Sequence, residues 1–168
     1  MNISMYQSSV PVFVRMLNNL AEILKKAAAH AETKKIDPAV LLQTRLYPDM
    51  FALARQVQIA TDTAKGCAAR LAGVEPPRYE DKESSFPELL ARIEKTIAYA
   101  KSIKPDQIDG SEDRPIVLKV REQSINFTGL AYLLNFALPN FYFHVATAYD
   151  LLRHNGVELG KQDFLGRG

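Results

Sequence analysis

The segment at residues 138–156 carries a polar row and an apolar row that both repeat every three or four positions. Residues at this spacing lie on one face of an α-helix, so the segment is predicted to form a single helix. His144 lies in the polar row and should face either a packed core or a cavity. The polar row is Asn140, His144 and Thr147 with Leu151 at its end, and the apolar row is Phe141, Val145, Ala148 and Leu152.

Three further segments show the same periodicity and restrict the chain to a mainly helical fold. They predict a first helix that ends near His30, a second at residues 49–72 and a third capped by Ser84 or Ser85. A short helical turn at residues 37–42 precedes the second helix. The apolar positions are Phe13, Met16, Leu17, Leu20, Ile23, Leu24 and Ala27; Leu53, Val57, Ala60, Ala64, Cys67 and Leu71; and Phe86, Leu89, Leu90, Ile93, Ile97 and Ala100.

Pro11 leaves two positions open for the start of the first helix. Either Ser8 or Ser9 caps a helix that begins near Pro11, or the helix begins near Ile3 and kinks where Pro11 lacks an N–H group. We predict the longer, kinked helix.

The linker at residues 74–84 determines how the helices can be ordered. It contains Pro76-Pro77 and alternating charges, which favour an extended chain. At ~3.3 Å per residue it can span about 35 Å, close to the ~36 Å length of the second helix at ~1.5 Å per residue. The third helix can therefore run parallel to the second. This predicts an all-α protein, an up-down-down-up four-helix bundle.

Between the third and fourth long helices the chain becomes rich in proline, aspartate and glycine. Two runs with strand propensity, at residues 116–120 and 124–128, predict a small β-hairpin. Residues 130–136 are predicted to be helical. Pro139 either lies in the first turn of the fourth long helix or kinks it.

Composition excludes several classes of protein. The 168 residues suit one domain, residues 1–168, that can bury a core without disulfides. The 21 basic and 19 acidic residues give a net charge of +2 without a dense basic run, so we predict no nucleic-acid or membrane partner. Cys67 is the only cysteine, which excludes an internal disulfide and fits a reducing compartment. Without a recognisable signal segment, we expect a cytoplasmic protein.

His144, the pair Leu152-Arg153 and Gly156 have the spacing seen in the last helix of the DinB-like superfamily of metalloenzymes, which this chain resembles. The four long helices with a long middle crossover are also similar. A bacterial branch of the superfamily is more similar still, over nearly the whole chain, with likeness at residues 8–11, 139–144 and 160–166. The resemblance implies the fold and carries no established activity with it.

The resemblance also implies a metal site, and here the sequence departs from it. The superfamily uses one histidine from its second helix and a His-x-x-x-His pair from its fourth. In this chain Asn140 replaces the first histidine of the pair, and the counterpart on the second helix is Gln56 or Gln58. Neutral amides are poor ligands for zinc or nickel. We therefore predict no cofactor, with His144 as the one candidate ligand should a divalent metal bind.

The residues expected to line a site are His144, Asn140, Gln56, Gln58 and Thr147. One hypothesis is a ligand-binding or regulatory bundle with a small-molecule pocket around His144, whose imidazole is held by neutral hydrogen bonds. A second is an enzyme of DinB or thiol-transferase type, in which His144 and the glutamines hold a divalent metal. A third is a homodimeric interaction module with an inert core, in which His144 is an ordinary core histidine. No catalytic residue can be assigned.

The remaining reactive side chains have simpler interpretations. His30 and His154 lie near helix C-termini, where the helix dipole favours a cation, so capping roles are expected. Cys67 lies in an apolar row and should be an inert small hydrophobe. The run Phe141-Tyr142-Phe143 projects in three directions around a helix, so at least one ring should meet the C-terminal tail or another subunit. This run predicts a homodimer.

Overall fold

The computed structural model describes residues 3–120 and 122–166, and this part of the chain is mostly helical. The other residues of the predicted domain, Met1, Asn2, Arg121, Arg167 and Gly168, lie outside the described residues. The described part contains four long helices, α1 (Val10–Lys34), α3 (Leu53–Leu71), α4 (Phe86–Ser102) and α7 (Leu138–His154). The short elements are α2 (Pro38–Leu42), α5 (Pro105–Ile108), β1 (Pro115–Val120), β2 (Gln123–Thr128), α6 (Gly129–Tyr132) and α8 (Lys161–Leu165).

Helix α1 begins at Val10, so the predicted longer helix from near Ile3 is wrong. Ser9 precedes it without capping it, because the Ser9 hydroxyl donates to the Met5 carbonyl at 2.7 Å. Pro11 lies in the first turn, where its missing N–H group costs no helical hydrogen bond. The helix continues about one turn past the predicted end near His30 and ends at Lys34, where the following residue, Lys35, has a left-handed backbone.

Local side-chain caps begin two of the predicted helices. The Asp37 carboxylate accepts from the Ala39 N–H group at 2.9 Å and starts α2. The Ser85 hydroxyl accepts from the Glu88 N–H group at 3.4 Å and starts α4. Both starts were predicted, because capping depends only on residues within one turn of the helix.

The helix of α6 continues into α7 through one π-helical turn, Leu133–Ala137. The Leu138 N–H group donates to the Leu133 carbonyl, five residues earlier. Pro139 follows in the first turn of α7. In a regular α-helix its ring would clash with the carbonyl group four residues earlier. The wider turn explains why the chain passes Pro139 without ending the helix, and it sets the rotation of α7 and therefore the direction of His144.

The long helices enclose one hydrophobic core. Helix α3 packs against α4 and α7, and α1 packs against α4 and contacts α7. Among the larger fully buried side chains are Phe13, Leu17, Leu20, Ile23, Leu24, Leu53, Leu71, Phe86, Leu89, Tyr132 and Phe141.

The predicted hairpin is confirmed as an antiparallel pair of strands, β1 and β2, with Leu118 opposite Ile125. Ile116 and Leu118 are buried, and the Phe127 ring packs beside Tyr132. At the other end of the chain α8 lies on α1, where Asn19 donates to the Phe164 carbonyl at 2.9 Å. In the part of the chain that the structure describes, every helix is too short or too polar to cross a bilayer.

Candidate functional site

His144 is buried on α7 and bonded to α3 through a short hydrogen bond. Its Nδ1 lies 2.6 Å from Gln56 Oε1, and the Gln56 Nε2 group donates to the Phe51 carbonyl at 3.0 Å. The second bond fixes the orientation of the amide, so Oε1 faces the imidazole as an acceptor. The hydrogen therefore lies on Nδ1 of His144, and Nε2 carries the lone pair.

The imidazole is neutral at physiological pH. Burial, and to a smaller extent the positive charge of nearby Arg55, lowers the pKa of His144 to about 4. A neutral ring with its hydrogen on Nδ1 presents Nε2 as a hydrogen-bond acceptor. It is too weak a base to accept a proton from most substrates near pH 7.

The second ring nitrogen of His144 is free to accept a hydrogen bond. His144 Nε2 has no hydrogen-bond partner among the described side chains, and it is not one of the fully buried unpartnered atoms, so it keeps access to solvent. The Phe143 ring meets the imidazole edge-on, with ring centroids 5.1 Å apart. Phe143 is 54% exposed. The neutral imidazole therefore has an exposed aromatic ring beside it.

Asn140 and Thr147, the other predicted site residues on α7, do not bond to His144. The Asn140 amide donates to the Thr63 hydroxyl at 2.9 Å, and the Thr147 hydroxyl donates to the Phe143 carbonyl of its own helix at 2.7 Å. Both side chains are thus satisfied separately, and His144 depends on Gln56 alone.

Gln58, the second candidate glutamine, lies on a different face of α3. Its Nε2 donates to Glu83 at 2.9 Å, and its Oε1 accepts from Arg55 at 3.3 Å. Residues two apart on a helix point in nearly opposite directions. The two glutamines therefore cannot both face α7, and Gln56 is the one that does.

The metal site implied by the resemblance does not fit these residues. Gln56 uses its amide oxygen on the imidazole, and Asn140 turns its amide toward Thr63. Across residues 3–120 and 122–166, no three His, Cys, Asp or Glu side chains are grouped as a metal ion would require. One imidazole with neutral amides lacks the charge and the donor strength of a zinc or nickel site.

A second polar centre, which was not predicted, surrounds Arg92 of α4. Its side chain is 2% exposed and donates to the Thr61 hydroxyl at 2.7 Å and to Asp62 at 2.9 Å. It also donates to Glu83 at 3.1 Å and forms an ion pair with Asp81 at 3.0 Å. These contacts attach the linker at residues 74–84 to α3 and α4. We call Arg92 and these four partners the Arg92 cluster.

Tyr79 of the linker lies beside the Arg92 cluster and is surrounded by cations. Its ring centroid is 3.7 Å from Lys65 Nζ, 4.3 Å from Lys95 Nζ and 5.3 Å from Arg92 Cζ. Burial raises the pKa of the Tyr79 hydroxyl. The signal in the sequence was a charged residue on the apolar side of α4. Arg92 is adjacent to the buried Ile93 and three residues from Leu89.

The remaining histidines and the cysteine are placed as follows. His154 is exposed in the last turn of α7, and His30 is half-buried one turn before the end of α1. Cys67 is fully buried, and burial raises the pKa of its thiol well above the usual value, which leaves it unreactive.

The three consecutive aromatic residues project in three directions. Phe141 is fully buried and meets Phe13 edge-on, with centroids 4.9 Å apart. Tyr142 borders a cavity of about 440 Å³ with Phe164 of the tail. Phe143 is exposed beside His144.

Comparison with known proteins identifies relatives of the whole chain. A protein-family model described as "Domain of unknown function (DUF1993)" matches residues 5–165. A crystal structure of a DinB family member protein from Shewanella denitrificans is 44% identical, with a TM-score of 0.91. The match covers 97% of this chain and 92% of that chain. No curated protein matches.

Proposed function

The chain belongs to the DUF1993 family and is DinB-like in fold, and on that premise we propose that it binds a small molecule at His144 without a three-histidine metal site. The observation that carries the proposal is the hydrogen bond from His144 Nδ1 to Gln56 Oε1. This bond leaves Nε2 as a fixed neutral acceptor beside the exposed ring of Phe143.

The surroundings of Nε2 favour one class of ligand. A neutral molecule with one N–H or O–H donor can bond to Nε2, and its apolar body can cover the exposed ring of Phe143. A cation is disfavoured because the charge of Arg55 already acts on the imidazole. Such sites combine apolar walls with few polar groups that orient the ligand.

Nuclear magnetic resonance with indole and phenol as probes tests this proposal. We expect both probes to shift the ring resonances of His144 and Phe143. His144→Leu should abolish the shift at Phe143 because it removes the acceptor. The control His154→Leu alters an exposed histidine and should leave that shift unchanged. A shift at Phe143 that persists in His144→Leu would contradict the proposal.

We also propose the up-down-down-up order for the four long helices. An antiparallel pair α3 and α7 is supported by two contacts, because His144 meets Gln56 and Asn140, one turn earlier, meets the later residue Thr63. A parallel pair α1 and α7 is supported by Phe13 beside Phe141 and by His30 beside Gly156. Together these pairs make α1 antiparallel to α3.

The direction of α4 completes this order. Arg92 of α4 donates to Thr61 of α3, and Lys95 and Lys65, one turn later in each helix, both lie against Tyr79. Contacts that advance together along two helices support a parallel pair. Spin-label distances between the ends of α3 and α4 would test this, because an antiparallel pair would bring the opposite ends together.

A homodimer is our second proposal for this protein, and the exposed Phe143 beside His144 supports it. A second copy covering this aromatic side chain would remove apolar surface from water. Light scattering at tens of micromolar should give twice the chain mass, and Phe143→Ser should shift the protein toward monomer. A monomeric wild-type protein at that concentration would reject the homodimer.

We propose a cytoplasmic location as well. It is supported by the single free cysteine, Cys67, which is buried and needs no oxidising compartment. Fractionation of cells that express the chain would test this location.

A further inference from the structure

We propose that a cavity between the end of α3, the linker and β1 binds a small phosphate-bearing molecule. The cavity has a volume of about 650 Å³ and is separate from His144. Cations from three different elements line it: Arg70 from α3, Arg78 from the linker and Lys119 from β1. Glu75 is the one carboxylate among its lining residues.

None of the three cations forms an ion pair with a carboxylate of the described chain. Arg70 donates to the neutral Tyr132 hydroxyl at 3.1 Å, and Arg78 and Lys119 form no ion pair. The other acidic residues of the linker are engaged elsewhere, since Asp81 and Glu83 pair with Arg92 and Glu80 pairs with Lys82. Glu75 therefore offsets one of the three positive charges. The cavity therefore retains positive charge that an anion can neutralise.

The Arg70 guanidinium is held in place before any ligand arrives. Besides its bond to Tyr132, it folds back over Gly66, and any side-chain carbon at Gly66 would collide with its Nη1 atom. Its Nε and Nη2 atoms donate to no acceptor of the described chain. A guanidinium fixed in this way offers its other N–H groups to a phosphate in a defined geometry.

The C-terminal end of α3 also borders this region, and its partial negative charge would repel an anion. Arg114 compensates for that charge, because it donates to the Leu71 carbonyl at the end of α3 and covers Gly73. Arg114 is thus bonded to the C-terminal end of α3, whereas Arg70, Arg78 and Lys119 remain available to a ligand. Two or three cations match the charge of a phosphomonoester or a diphosphate.

Calorimetry with inorganic phosphate and pyrophosphate as probes, in low-salt buffer, tests this site. We expect pyrophosphate to bind more tightly than phosphate. Arg78→Gln and Lys119→Gln alter exposed residues and should each weaken binding about tenfold or more, as loss of a hydrogen bond to a charged group does. Gly66→Ala should weaken binding by displacing Arg70, with circular dichroism to verify folding.

Lys82→Gln is the matched control, because it removes one charge from the same linker at a residue that does not line the cavity. It should leave binding unchanged. Absence of pyrophosphate binding up to about 10 mM would overturn the proposal, and so would equal weakening by Lys82→Gln. Tighter binding of a short oligonucleotide through the same residues would replace the small molecule with a nucleic acid. These binding measurements do not depend on His144.

Discussion

His144 of α7 and Arg92 of α4 are both buried side chains that can carry a positive charge, and both contact α3. His144 contacts neutral groups only, Gln56 and the ring of Phe143, and burial lowers its pKa to about 4. Arg92 keeps its charge and contacts three carboxylates. The difference follows from proton affinity: an imidazole can lose its proton when buried, whereas a guanidinium cannot and must be paired.

This comparison separates two roles for buried polar groups. Arg92 donates its hydrogen bonds to groups of α3 and of the linker. Its role is therefore to attach the linker to the helices. His144 retains one unoccupied acceptor at the surface, and this makes it the better candidate for a ligand. Polar burial alone does not identify a binding site; an unsatisfied and accessible atom does.

Arg92→Met should give the largest loss of stability. The substitution keeps much of the side-chain volume and leaves the carboxylates of the Arg92 cluster without their common partner. The cost should be about 3 kcal/mol, the low end for a broken buried pair, because Asp62 and Asp81 are more than a third exposed and keep other cations nearby. Urea unfolding measures the loss. Lys82→Met removes an exposed cation from the same linker and should change stability by less than about 0.5 kcal/mol. Equal effects of the two variants would refute the assigned role of Arg92.

Gln56→Leu should give the next largest effect. The change leaves the buried Nδ1–H group of His144 without an acceptor, and an unsatisfied buried donor costs about 1–3 kcal/mol. Gln43→Leu, at an exposed glutamine, is the control for thermal or urea unfolding. A Gln56→Leu protein as stable as the control would show that the hydrogen bond is dispensable.

The stability of the His144 region should depend on pH between about 6.5 and 4. The folded-state pKa of His144 is lowered from 6.5 to about 4, so the unfolded chain takes up the proton more readily. The stabilisation is complete above pH 6.5 and is lost as the pH falls toward 4. The difference in unfolding free energy between wild type and His144→Gln should shrink over this range. A constant difference would mean that the pKa is not lowered.

Arg55→Gln should give the smallest effect on stability and links the two regions. Arg55 forms an exposed ion pair with Asp81, worth about 0–1 kcal/mol. Its charge is the second cause of the lowered pKa of His144. The variant should therefore raise that pKa, but not to 6.5, because burial is the larger cause. Titration by nuclear magnetic resonance measures the change, and an unaltered pKa would contradict the coupling.

The start of α4 and the end of α3 could be predicted because they depend on neighbouring residues. Ser85 caps α4 within one turn, and Gly73 ends α3 with a positive φ of 73° that few other residues adopt. The start of α1 was mispredicted because the Ser9 hydroxyl bonds to Met5. Two serines shortly before Pro11 allow both arrangements, and packing selects between them.

The candidate site was predictable only in part. Helical spacing places His144 and Asn140 on one face, and in the structure both side chains bond to residues of α3. The sequence alone could not choose between Gln56 and Gln58, because that choice depends on how α3 is rotated. The π-helical turn before Pro139 also rotates α7 by an amount that no local pattern specifies.

The sequence by itself determined the helical class, the starts of α2 and α4, the end of α3 and the hairpin, because periodicity, caps and turn residues act over a few neighbouring positions. Tertiary structure decided which polar side chains meet. Arg92 reaches Asp62 and Thr61 thirty residues away on α3, and His144 reaches Gln56 eighty-eight residues away. Such contacts depend on the relative rotation of packed helices, which the whole core sets at once.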